Sequence, residues 1–231
     1  MNLLVEAEDI KAITGVSSYD IDDENLQRLA EYAQRYVMQC VYTKHHNEEP
    51  DANPDTGETW NGSNVTFRTK SYPIADITFD EEIDSEDISG VWIDEDWGVN
   101  TCSITVVNRE LGIIKIYQSD GSTAIPSTAK HVYLTYYSEP ENFDRELFIQ
   151  AIIYFAAHCV ENMIKGEEKI TLADLESNKY VLQRKSQFYD LFLNVLNKIK
   201  PTGLVGIWMN WHFGLSLYFS LHFSGYLEEG E

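Results

Sequence analysis

Apolar positions change their spacing along this chain, and each change marks a different kind of element. Over 6–13 and 22–43 they recur at helical intervals. In the second stretch Leu26, Leu29, Ala33, Tyr36, Val37, Cys40 and Val41 share one face. Gly15 closes the first helix, and Asp22 and Asp23 open the next, where acids suit the positive end of the helix dipole. From 65 to 137 the period drops to two. Runs rich in Val, Ile, Thr and Tyr at 65–70, 74–79, 90–94, 103–108, 112–117 and 131–137 predict short strands, separated by turn formers such as Asp120-Gly121. Helical spacing returns at 141–163 with Leu147, Phe148, Ala151, Ile152, Phe155, Cys159 and Met163, a run so apolar that most of its sides must be buried. A last helix starts from a capping pattern at Thr171. It carries Leu175, Leu182, Phe188, Leu191, Phe192, Val195 and Ile199 and ends at Pro201.

The period of two comes back at 207–223, where every odd position is apolar. Asn210, His212, Gly214, Ser216, Ser220 and His222 fall between them, and Trp208 and Tyr218 are amphipathic exceptions. This predicts a strand or hairpin with one apolar face and no following element to cover it. Such a ribbon is a template for pairing with another chain. Trp208, Trp211, Phe213, Leu215, Leu217, Phe219, Leu221 and Phe223 are therefore the candidate partner-binding residues. Residues 203–227 are also uncharged and long enough to cross a membrane as a helix. Polar groups at alternate positions would scatter around a helix but gather on one side of a strand, which favours the strand.

The predicted fold class is α+β. An antiparallel helical bundle (1–43 and 138–200) carries an inserted small antiparallel β domain (65–137). A polar loop spans 44–64, and a C-terminal extended strand or hairpin forms a docking tail at 201–231. The loop contains two prolines, two glycines and several acids, and suits a contact arm.

Composition narrows the chemistry. A formal charge of −21 argues against wrapping nucleic acid, which needs Lys and Arg to displace counterions. Cys40, Cys102 and Cys159 are scattered and odd in number, as expected of buried free thiols in a reducing compartment. The start of the chain lacks the basic and apolar regions of a signal peptide, so the triplets at Asn61 and Asn64 indicate only a polar loop. No Gly-rich phosphate loop, metalloprotease helix or Gly-x-Ser-x-Gly turn is present. His45-His46 lacks further ligands at metal spacing, and His158-Cys159 on an apolar helix suits a core histidine beside a buried thiol. The acidic runs 80–87 and 94–96 lack the glycine and terminal Glu of a helix-loop-helix calcium site. No catalytic residue, metal or cofactor is expected.

Several stretches together carry a resemblance. They are the opening helices at 5–13 and 22–42, Tyr72-Pro73-Ile74 with Ile77, the run Val132-Tyr133-Leu134-Thr135-Tyr136-Tyr137, and the helix with Ala151-Ile152 and His158-Cys159-Val160-Glu161-Asn162. Over 1–165 the chain resembles the head–tail connector (adaptor, head completion) proteins of tailed phages and related viruses. The resemblance implies a non-enzymatic homo-oligomeric ring, usually twelvefold, at the head–tail interface of a virion assembled in the host cytoplasm. Its C-terminal segment would dock on the portal protein, its other face would meet a stopper or tail protein, and no membrane would be involved. DNA would pass through the channel without specific binding, and twelve copies would line it with a formal charge of about −250. The rival readings are a stopper or tail-terminator ring, a membrane-anchored binding module built on 203–227, and a hydrolase built on the acidic runs.

Overall fold

Local capping decides where each helix begins. Asp9 accepts from the Glu6 amide at 2.9 Å to start α1 (Ala7–Thr14), and Gly15, at φ 66, closes it by donating to the Lys11 carbonyl. Asp22 caps α2 (Asp23–Val41) by accepting from the Asn25 amide at 2.8 Å. After the strands come α3 (Arg145–Lys165) and α4 (Gln187–Ile199), the latter capped by Ser186. The structure is a computed structural model and describes residues 2–17, 20–165 and 186–200.

The apolar faces predicted for α2 and α3 meet in one helical core. Tyr36 lies flat on Phe155, with ring centroids 4.2 Å apart, and Phe192 of α4 closes on Phe155 at 5.1 Å. A second aromatic group, Tyr42, Phe79, Phe143 and Phe148, fills the space where the helices meet the start of the β region.

Six strands follow: β1 (Thr43–Glu48), β2 (Thr66–Arg68), β3 (Ile88–Ile93), β4 (Val99–Asn108), β5 (Ile113–Gln118) and β6 (His131–Ser138). They form one sheet in the order β1-β6-β3-β4-β5-β2, and every neighbouring pair is antiparallel. The sheet curls into a half-barrel. Beyond β1 the chain reaches the opposite margin, where Asp51 and Arg68 exchange backbone hydrogen bonds of 2.8 and 3.2 Å. Phe67, Ile114, Ile116, Val132, Leu134 and Tyr136 fill the inside, and Trp60 covers it, donating its indole N–H to the Ala129 carbonyl at 2.9 Å.

This architecture overturns the expected helical bundle with a small inserted β domain. The six-stranded sheet has its own buried core and shares the fold with four described helices. The main reason is β1. Its sequence, Thr-Lys-His-His-Asn-Glu, gives no apolar alternation, so composition assigns it to the polar loop 44–64. It forms because His45 and Glu48 are satisfied by side chains of β6 rather than by apolar burial. The rest of that loop is tied down by Asn64, whose amide donates to the carbonyls of Glu58, Thr59 and Thr66. The strand expected at 74–79 is reduced to a single bridge between Ile74 and Ser138. Beyond it the backbone turns around two acids. Asp76 accepts from the Phe79 amide at 2.6 Å and the Glu81 amide at 2.9 Å; Asp87 accepts from Ile77 at 2.7 Å and Asp84 at 3.0 Å. The expected tail strand at 201–231 lies outside the described residues.

Candidate functional site

The eight tail positions Trp208, Trp211, Phe213, Leu215, Leu217, Phe219, Leu221 and Phe223 all lie outside the described residues. Lys200, the last described residue, donates from Nζ to the carbonyl of Val41 at the end of α2.

One cluster has the atom order of a nucleophile relay. Ser138 Oγ lies 2.9 Å from His45 Nε2, and His45 Nδ1 lies 3.3 Å from Glu48. Its surroundings give it a structural task instead. Ser138 is buried, while Glu48 also accepts from the Tyr136 hydroxyl at 2.5 Å and the Lys70 amide at 3.3 Å. His45 stacks on Tyr136, its direct cross-strand neighbour, with centroids 4.7 Å apart. Burial, with the Glu48 carboxylate beside it, pushes the Tyr136 phenol well above its usual range. His131 meets Glu49 at 2.6 Å and His46 meets Thr135 at 3.1 Å, so three histidines staple β1 and the turn after it to β6.

His158, the three cysteines and Asp87 are likewise held within the fold. His158 is fully buried on α3, 2.8 Å from the Ser186 hydroxyl, and Asn162 packs over its ring. Burial pushes the thiols of Cys40 and Cys102 up to about 12 and that of Cys159 higher still, the reverse of an activated nucleophile. In the acidic run 80–87, Asp87 is spent on backbone amides, and its burial raises its carboxyl. Among the described residues no group of three His, Cys, Asp or Glu side chains could hold a metal ion. Among the described residues α3 alone is long and apolar enough, over Arg145–Ile164, to cross a membrane; here it packs against α1, α2 and α4.

What stands out is two sets of exposed apolar side chains at opposite ends of β4. At its start, Trp97 is 68% exposed and Val99 69% exposed, on the β3–β4 hairpin. That hairpin is rigidly built: Asp94 accepts from the Gly98 amide at 2.7 Å, the Asp96 amide at 3.0 Å and the Asn100 amide group at 3.2 Å. These bonds hold the Asp94 carboxyl below its usual range. At the far end, Val107, Leu111 and Tyr72 are about half exposed. Arg68 binds them together, stacking 4.4 Å above the Tyr72 ring and donating from Nε to the Leu111 carbonyl at 3.1 Å. Val99 and Val107 are eight residues apart, about 25 Å along the strand, and both belong to the outer face. Sequence reasoning missed both sets. The available signal was Trp97 and Val99 just after the acidic run 94–96, and Val107 and Leu111 on either side of Arg109-Glu110.

Compared with known proteins, the chain matches no family model, no curated protein and no solved structure.

Proposed function

We propose that this chain is a structural virion protein, a head–tail adaptor. Copies of it form a ring that docks on the portal through the segment after Lys200, joins the portal to a stopper or tail protein, and surrounds the DNA. The observation that carries this reading is the two-ended build of the subunit. The first and last described helices meet in one core, with Lys200 against the end of α2, and the sheet forms a second lobe with a core of its own. A connector needs such separate ends, one for each partner.

Three further features support it. The exposed apolar sets at the two ends of β4 differ from each other, and contacts between unlike patches are head-to-tail, the kind that generates a ring where the rotation between copies closes. Polar groups that could serve chemistry are instead occupied in holding the fold, as at His45, His158 and Asp87. A net charge of −21 per subunit suits a conduit that DNA must cross without sticking.

The test uses the full chain, a version ending at Lys200, and the portal protein of the same virus. The expected result is a ring by native mass spectrometry and electron microscopy for both versions, with portal binding only for the full chain. A full chain that stays monomeric, alone and on the portal, overturns the proposal.

A further inference from the structure

The exposed sets at the two ends of β4 differ in charge as well as in shape. The hairpin carries Asp94, Glu95 and Asp96 in succession, answered by one cation, Lys130, whose Nζ lies 4.0 Å from the centroid of the Trp97 ring and donates to the Glu95 carbonyl. The far end brings the cations Arg68, Lys70 and Arg109 together with Glu48, Asp51, Glu110 and Glu139. Arg109 is held there by Glu139 at 2.6 Å, whereas Arg68 and Lys70 make no ion pair among the described residues.

We propose that the Trp97 hairpin of one subunit seats on the Arg68–Tyr72–Leu111 platform of the next copy, and that this is the contact repeated around the ring. The inference rests on the adaptor reading and supplies its subunit interface. The Arg68 guanidinium lies over the Tyr72 ring, and in the proposed contact the incoming indole packs against this cation–aromatic pair. Val99, beside Trp97, meets the apolar surface of Leu111 and Val107, while Glu95 and Asp96 approach Lys70 and Arg68. Pairing of like ends is disfavoured, because two acidic hairpins repel each other. Complementarity of charge therefore selects the head-to-tail arrangement.

The hairpin is prepared for this role before contact. Trp97 adopts φ 66, a left-handed conformation that a bulky residue rarely takes, and the Asp94 hydrogen bonds and Lys130 hold it there. A large aromatic already fixed in place loses little freedom on binding, which makes it an effective anchor.

The experiment compares assembly of the full chain and its variants over a dilution series by light scattering, with thermal melting to confirm folding. Trp97→Ala should raise the concentration needed for half-assembly by about tenfold or more. Arg68→Glu with Lys70→Glu should abolish the ring, and adding Glu95→Lys with Asp96→Lys to the same chain should restore it. With Asp96→Cys and Lys70→Cys in one chain, mild oxidation should give a ladder of covalent multimers. Rings that form normally in every variant, with no ladder, overturn this interface and leave the adaptor reading standing. Wild-type chain that never assembles removes both.

Discussion

The helical lobe and the sheet lobe bury different things. Around Phe155 the helices exclude water with packed rings, Tyr36 stacked on one side and Phe192 tilted against another, both within 5.1 Å between centroids. Along the β1–β6 seam the sheet buries a phenol, a carboxylate, an imidazole and a hydroxyl, each placed by a directional hydrogen bond. Ring packing depends on volume and tolerates modest changes of direction, whereas the seam depends on partners and fails when one is lost. The helical lobe can therefore act as a firm mount, while the sheet holds its hairpins at fixed angles through polar staples.

Removing volume from the mount should have the largest effect. Phe155→Ala should cost about 3–5 kcal/mol, a large share of the stability of a typical domain, read from urea unfolding. A loss below about 1 kcal/mol would mean that the stacked rings are not its core. The seam should respond less and more locally. Glu48→Ala removes the acceptor of the Tyr136 hydroxyl proton, leaving that oxygen the Ser71 amide, and costs about 1–3 kcal/mol. Amide hydrogen exchange should quicken in β1 and β6 while α3 keeps its protection; equal change in both lobes would erase the distinction drawn between them.

The smallest effect is one of pH in the turn after β5. Asp120 accepts from the Thr123 hydroxyl and from the amides of Ser122 and Thr123, which hold its carboxyl down to about 2. A folded value below the ordinary one of about 4 means a contribution complete above that pH and lost as pH falls through about 2. The melting temperatures of wild type and Asp120→Asn should differ at neutral pH and converge on acidification; a gap that stays constant would show that the charge is not involved.

What could be read from the sequence divides along the same line. Periodicity identified the helices: Leu26, Leu29, Ala33, Val37 and Val41 are buried as their spacing predicts, and so are Phe148, Ile152 and Phe155. It located most strands too, because β5 and β6 alternate buried and half-exposed positions. It missed β1, since a strand whose inner residues are His45 and Glu48 gives no hydrophobic signal. Strand order and curl depend on pairings between distant segments, such as Glu48 with Leu134, and no local pattern encodes them. Exposure of Trp97 depends on a left-handed backbone at that residue, which only the folded chain reveals.

The clasp between Asp51 and Arg68 has a consequence for how copies can recognise each other. Sheets with long open margins stick to one another through main-chain bonds, which every sequence shares. Here one margin is only three residues long and is tied to the chain leaving the other. Promiscuous zippering is thereby discouraged, and recognition falls to individual side groups. A lineage could then change its choice of neighbour by one or two point substitutions while the scaffold stays as it is.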